Sequence, residues 1–257
     1  MGARRTVNRL AKRRGYISAM PDQALVIDLI GWLPQIIIGI AILAAASLYL
    51  WPSLLEFPMD DSYIHIVYAE NLSEYGSLFF NSPGEKGVGT SSLLWVLILA
   101  AGKWAGVSVH WVAKLAGVIC LAVVGVGLYS LLRPLLSPWM TLACALLVVL
   151  SGNMLWFALS GMETMLFMAL GVLALLGYRE QRWVWLGITV GLLVITRIEG
   201  VILLFVIGGF DIWRRRMIQP GLLVAAAVCS TIFLPLASVP ATAHRVLSSN
   251  KRAWQAL

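Results

Sequence analysis

The chain has 257 residues, of which 60% are hydrophobic and 12% charged, and its mean hydropathy is +0.86. This composition is typical of an integral membrane protein and argues against a soluble globular domain. The net charge of +7 does not indicate a nucleic-acid partner, because the basic residues cluster at the edges of apolar runs, where they set membrane orientation. Cys120, Cys144 and Cys229 lie inside apolar runs without metal-ligand spacing, so the sequence supports neither a disulfide framework nor a zinc site.

The chain begins with a basic segment, residues 1–28, which has no acidic residue in its first sixteen positions. The apolar run that follows, at about 29–51, has the ~20 residues that a helix needs to cross a bilayer core of ~30 Å. It is longer than the apolar core of a signal peptide, so we predict an uncleaved first transmembrane helix. The orientation rule for basic residues then places the N-terminus in the cytoplasm and the first loop, 52–111, outside.

Residues 61–76 of this loop mix apolar and polar positions. The apolar ones recur at three- and four-residue spacing, at Ile64, Val67, Tyr68 and Leu72. This pattern predicts an amphipathic helix at the outer membrane interface, ended by Gly76. Residues 79–90 are rich in glycine and proline and predict an exposed loop.

Six further apolar segments precede the cluster Arg214–Arg216, at about 91–107, 112–132, 138–158, 163–178, 183–196 and 198–213. If all six crossed the membrane, this cluster would lie outside, against the orientation rule. We predict that segment 91–107 does not cross the membrane and is a re-entrant or interfacial helix, because it carries Lys103 and has Trp95 and Trp104 near its ends. With a last run at 220–240, the sequence predicts an all-α polytopic protein with about seven transmembrane helices. They form a transmembrane domain over 29–240, followed by a short polar tail, 241–257.

Three charged interruptions stand out, and in this topology all lie on the outer side. Helix capping explains one residue of the pair Asp60-Asp61 but not two. Glu163 either caps the helix that follows it or faces a cavity or partner, since ionisable groups at membrane depth are costly. Arg197 and Glu199 either pair with each other or hold an anion, for which the planar guanidinium is suited.

Two other residues join the candidate site. His65 lies four positions after Asp61, so one helical turn would bring them together. Lys114 is either a second phosphate contact or an amine that extends to the membrane interface. A carboxylate base with nearby cations suits a reaction in which an acceptor hydroxyl displaces a lipid-linked phosphate.

The motifs around these residues occupy four stretches: Met59–Tyr63, Tyr68–Trp95, Leu159–Thr164 and Thr196–Gly200. Together they resemble the GT-C glycosyltransferases, multi-span enzymes that take sugars from polyprenyl-phosphate donors. The resemblance is closest to the branch that includes mycobacterial arabinofuranosyltransferase-like proteins, and it covers only the N-terminal half of such enzymes. The chain also has Ile198 where such proteins often have proline.

The resemblance implies roles for several residues. Asp60 or Asp61 would be the catalytic base or lie beside it, and Glu163 would position the acceptor or a metal ion. Arg197 would lie near the donor phosphate. Tyr63 and Glu199, in the same motifs, are candidate substrate contacts, as are His65 and Lys114.

The sequence therefore predicts a hexosyl- or pentosyltransferase in the bacterial inner (plasma) membrane, with its active face periplasmic. Its donor would be a polyprenyl-phosphate-linked sugar, and its acceptor a hydroxyl group of a glycan, lipid or protein. The sequence leaves open whether a divalent cation takes part. One alternative is a secondary transporter, which also uses broken helices and buried charges; it lacks support from an inverted repeat. The other is a non-catalytic membrane scaffold or pseudoenzyme remnant.

Overall fold

The computed structural model describes residues 21–50, 56–81 and 89–215. These residues form helices and no strand, which confirms the all-α class for this part of the chain. The helices are α1 (Pro21–Leu50), α2 (Asp60–Tyr75), α3 (Leu93–Trp104), α4 (Val109–Leu132), α5 (Pro138–Val149), α6 (Gly152–Leu159), α7 (Thr164–Arg179), α8 (Trp183–Thr196) and α9 (Gly200–Arg215). Helix α1 begins before the predicted position 29. The predicted run 220–240, the tail 241–257 and residues 1–20 of the basic segment lie outside the described residues.

Two described helices are long and apolar enough to cross a membrane, namely residues 31–49 of α1 and the whole of α4. The pair α5 and α6, predicted as one segment at 138–158, is bent by 56° at a short break and would be a third span if taken as one unit. Helices α7, α8 and the first part of α9 are apolar but shorter. At 1.5 Å per residue the 16 residues of α7 extend about 24 Å. The described chain thus has two or three candidate spans, and the count of seven stays a prediction.

Helix α3 corresponds to the segment predicted not to cross. Its 12 residues extend about 18 Å, well short of a bilayer core of about 30 Å. It packs against α2, and its C-terminal end is fastened there by two side chains. The Lys103 amine lies 2.6 Å from a Glu74 oxygen, and the Trp104 indole donates to the Ser73 carbonyl at 3.1 Å. Helices α2 and α3 therefore form one unit.

Helix α2 ends as predicted, with Gly76 in the left-handed region at φ 66 and its N–H donating to the Leu72 carbonyl. Of the predicted apolar positions, Tyr68 is buried, while Ile64, Val67 and Leu72 are half-buried, and Ile64 and Leu72 pack against a buried apolar cluster. The placement of α2 at the membrane interface stays a prediction. The other buried positions of α2 are Ser62, His65, Ile66 and Ala69. Two of these are polar, and they are buried because each has a polar partner in the turn that follows α6.

The centre of the fold is α4, which packs against α1, α3, α5, α6 and α7. The approach of α6 is so close that a Cβ atom on Gly117 would lie 1.8 Å from the Ala158 carbonyl oxygen. Buried apolar side chains from α1, α4, α5 and α7 fill the space around it, among them Ile38, Leu121, Val149 and Met165. This packing fixes where the turn 160–163 sits, between α6 and α7.

Candidate functional site

Glu163 is the centre of a buried polar cluster. It occupies the residue position before α7, yet its side chain makes no capping hydrogen bond, so capping does not explain it. The side chain is only 1% exposed, and its carboxylate faces His65 of α2 and Arg197, the residue after α8. A buried carboxylate needs compensating partners, which here are the Arg197 charge and the His65 ring.

His65 is the nearer partner. Its Nε2 lies 3.1 Å from Glu163 Oε2, and its side chain is 3% exposed. The distance suits an ion pair, but the alignment is poor, because Oε2 has no well-directed hydrogen bond from any described residue. The other ring nitrogen, Nδ1, lies 2.9 Å from the Thr90 hydroxyl. The imidazole thus connects Thr90, in the segment just before α3, to the buried carboxylate.

Arg197 is the second partner and the more open one, with its side chain 35% exposed. Its Nη1 lies 3.8 Å from Glu163 Oε1, and its Nη2 lies 3.2 Å from Glu199 Oε1. The Ser91 hydroxyl also donates to Glu163 Oε1, at 3.4 Å. The predicted pair Arg197–Glu199 therefore forms, and the guanidinium also reaches Glu163, a pairing that was not predicted.

The charge state of Glu163 follows from these neighbours. Burial by itself raises the pKa of its carboxyl group. The His65 contact, a backbone hydrogen bond and the nearby Arg197 charge outweigh burial and hold that pKa below its usual value of 4.5. Glu163 is therefore an anion at neutral pH.

The turn that carries Glu163 is fixed from two sides. The Ser62 hydroxyl of α2 donates to the Ser160 carbonyl, and the buried Trp95 indole of α3 donates to the Gly161 carbonyl at 2.9 Å. Gly161 has φ 80, a left-handed conformation that favours glycine. A Cβ atom there would also lie 2.7 Å from the Phe57 ring.

Asp60 and Asp61 form the first turn of α2, where the helix dipole favours negative charge. Both are exposed, and neither pairs with a cation in the described part of the chain. Since Ser62, the next residue, binds Ser160, the two aspartates lie at the same end of the helix bundle as Glu163. They are the accessible carboxylates of the site, whereas Glu163 is the enclosed one.

Lys114 and Tyr63 both contact the segment just before α2. The buried Lys114 amine donates to the Glu56 carbonyl at 3.3 Å and lies 5.2 Å from the centre of the Phe57 ring. The Phe57 N–H donates to the Tyr63 hydroxyl at 3.3 Å, and the Tyr63 side chain is exposed. Lys114 thus belongs to the wall of the site, and Tyr63 to its open edge.

No metal-binding set of three or more His, Cys, Asp or Glu side chains exists among residues 21–50, 56–81 and 89–215. The carboxylate that the resemblance offers to a metal ion, Glu163, instead faces the His65 ring and the Arg197 guanidinium. The described residues therefore do not fit a metal ion at Glu163.

Several site residues were missed by sequence reasoning, namely Ser62, Thr90, Ser91, Trp95 and Ser160. The four serine and threonine residues lie beside a charged interruption or in the polar run before α3, which was the available signal, and Trp95 lies in the first turn of α3. Neither the small hydroxyl groups nor the indole gave a reason to expect contacts between distant segments. Comparisons of the chain with protein-family models, with curated proteins and with solved structures found no match.

Proposed function

We propose that the chain is a membrane glycosyltransferase that moves a hexosyl or pentosyl group from a polyprenyl-phosphate donor to an acceptor hydroxyl. The motif resemblance motivates this reaction class. One structural observation supports it above the others: Glu163, 1% exposed, joins His65 of α2 to Arg197 after α8. These contacts bring together two of the three charged interruptions, and the Ser62 hydrogen bond to Ser160 brings the helix end that carries Asp60 and Asp61 to the same turn.

The exposed Asp60 and Asp61 are the candidate bases. One of them takes the proton of the acceptor hydroxyl as its oxygen attacks the anomeric carbon of the sugar. A bond forms between that oxygen and the carbon, while the bond from the carbon to the phosphate oxygen breaks. The electron pair leaves with the polyprenyl phosphate, and the proton stays on the aspartate.

Arg197 is the group that stabilises the departing phosphate. Its two terminal nitrogens face Glu163 and Glu199, and about a third of the side chain is exposed. In this proposal the donor phosphate approaches the guanidinium from that exposed side. Glu163 is too enclosed to touch a substrate. Its role in this proposal is to hold Arg197 in place, which makes it a positioning residue.

The test replaces Asp60 and Asp61 with Asn, singly and together, and measures sugar transfer from a polyprenyl-phosphate donor in reconstituted membranes. Loss of the base lowers transfer by about 100-fold or more, with membrane insertion unchanged. Glu70→Gln, a carboxylate further along α2, is the matched control and keeps transfer. Transfer that persists in the double variant removes the assigned base.

We further propose that this end of the bundle faces the periplasm of the bacterial inner membrane, with the N-terminus in the cytoplasm. Cysteines placed at Asp61 and Ile198, both exposed, would then react with an impermeant maleimide added from outside. A cysteine at Glu180, at the other end of α7, would react only after the membrane is opened. Labelling of positions 61 and 198 from opposite sides would end the case for one shared site.

A secondary transporter is the second candidate, and the 56° break between α5 and α6 is the observation that favours it. Against it, the charged side chains of the described site gather at one end of the bundle instead of along a path through it. Uptake of a labelled sugar phosphate into proteoliposomes, with no transfer to an acceptor, would favour the transporter. A scaffold would show neither activity.

A further inference from the structure

We propose that His65 is a positioning residue whose protonation controls how strongly Arg197 holds the donor phosphate. This inference rests on the proposed function, because it concerns the same anion site. It adds something that neither the motifs nor the resemblance supplies, namely a pH dependence carried by a residue that does not touch the substrate.

Glu163 has two partners of different kinds. Arg197 is always charged, whereas a histidine changes charge in the range of about pH 5 to 8. Both reach the same enclosed carboxylate: Arg197 Nη1 lies 3.8 Å from Oε1, and His65 Nε2 lies 3.1 Å from Oε2. The positive charge available to Glu163 therefore depends on the state of His65.

His65 can gain or lose a proton without losing its contact with Glu163 or with Thr90. A hydroxyl both donates and accepts, so Thr90 accepts from Nδ1–H of the imidazolium and donates to Nδ1 of the neutral ring. Nε2 faces the Glu163 carboxylate, which is an anion and can only accept, so the neutral ring keeps its proton on Nε2 and both states present an N–H to Glu163. Protonation thus changes the charge of the cluster while its packing stays the same.

The state of His65 changes the charge around Arg197. With His65 neutral, the four side chains His65, Glu163, Arg197 and Glu199 have a net charge of −1, and the guanidinium is the one positive charge among them. With His65 protonated, the net charge is zero, and Arg197 is less tightly held by the two carboxylates. An anion arriving at the exposed part of Arg197 is then bound more strongly. Affinity for the phosphate falls as the pH rises.

Other ionisable groups at this end must be separated from His65. They are Asp60 and Asp61 on the first turn of α2, and His110 and Lys114 on α4. His110 is the most useful comparison, since it is also an imidazole at this end of the bundle, but its ring stacks on Phe57 with the centroids 5.6 Å apart and makes no ion pair with Glu163 among the described residues. It provides a matched control for the loss of one imidazole at the same end of the bundle.

The experiment measures binding of farnesyl methyl phosphate to the full chain in nanodiscs, from about pH 5.5 to 8. A phosphodiester is used because a phosphomonoester would itself titrate near pH 6. One unit charge acting over roughly 10 Å at an effective dielectric constant of about 20 changes affinity about tenfold. The wild-type chain should lose about that much affinity over the range. His65→Gln should bind weakly at all these pH values, and His110→Gln should behave as the wild type.

A Thr90→Val variant keeps the histidine and serves if His65→Gln does not fold. It removes a hydroxyl that accepts from the imidazolium and donates to the neutral ring. Because a hydrogen bond to a charged group is the stronger of the two, the protonated form loses more, and the midpoint of the binding curve should move to lower pH. Wild-type pH dependence in both His65→Gln and Thr90→Val would overturn the role of His65 and leave the anion site intact. No binding of the phosphodiester by the wild type at any pH would overturn both this inference and the donor site of the proposed function.

Discussion

Replacement of Gly161 by alanine is the perturbation that tests most directly how the site is built. Gly161 has φ 80, and its carbonyl accepts the hydrogen bond from the buried Trp95 indole. It lies two residues before Glu163. Any shift of this turn therefore moves the carboxylate relative to His65 and Arg197.

The expected cost has two parts. An alanine in the left-handed region costs about 1–2 kcal/mol. In addition, its Cβ atom would lie 2.7 Å from two atoms of the Phe57 ring, and overpacking of this kind costs about 1–3 kcal/mol. The total loss in the free energy of unfolding is therefore about 2–5 kcal/mol.

Gly106 separates the two parts. It has φ 83, close to that of Gly161, but a Cβ atom there would meet nothing within 4 Å. Gly106→Ala should therefore cost only the backbone strain of about 1–2 kcal/mol. In a Phe57→Ala background, Gly161→Ala should cost no more unfolding free energy than Gly106→Ala does, because the ring that the new methyl group meets is gone.

The assay is reversible unfolding in bicelles, followed by near-ultraviolet circular dichroism, with sugar transfer measured on the same samples. Gly161→Ala should lose transfer even where it remains folded, whereas Gly106→Ala should keep it. Equal destabilisation by the two variants would refute the close contact with Phe57. Full activity of Gly161→Ala would refute the claim that this turn positions the site.

The stability of the fold should depend on pH through Glu163, whose pKa in the folded protein is below its usual 4.5. The stability that its ionised form contributes is present above pH 4.5 and is lost as the pH falls through the lower folded-state pKa. Glu163→Gln should remove this loss when the free energy of unfolding is measured from about pH 3 to 7. Trp95→Phe should cost about 1–3 kcal/mol of unfolding free energy in the same assay, because it leaves the buried Gly161 carbonyl without its donor. Lys103→Ala should cost at most about 1 kcal/mol, since its pair with Glu74 is solvent-accessible, and a larger loss would mean that this pair holds α2 and α3 together.

The helices were largely predictable because their signals are local. Segment 183–196 matches α8, and segments 112–132 and 163–178 match α4 and α7 to within a few residues. The break inside the predicted segment 138–158 was missed, since the Ser151-Gly152 step that interrupts it is short and apolar residues continue on both sides. Hydropathy averages over such a step, whereas a helix bends there.

The candidate site was predictable only as a set of unusual residues. Asp60, Glu163 and Arg197 could be singled out because charge is rare in so apolar a chain. The pairing of Glu163 with both His65 and Arg197 was not predicted, because the amphipathic pattern of α2 carries no information on the partner of its histidine. His65 is buried there because Glu163, nearly a hundred positions later, compensates for its burial.

The sequence by itself determined that this is a helical membrane protein, and it located the few positions where charge interrupts the apolar chain. Hydrophobic burial and helix formation depend on composition and on near neighbours, so they can be inferred without the fold. Only the tertiary structure decided that Glu163 is enclosed while the two aspartates are open, and that a histidine and an arginine share one carboxylate. Those facts depend on which helix ends pack together, and contacts between distant segments leave no trace in local periodicity.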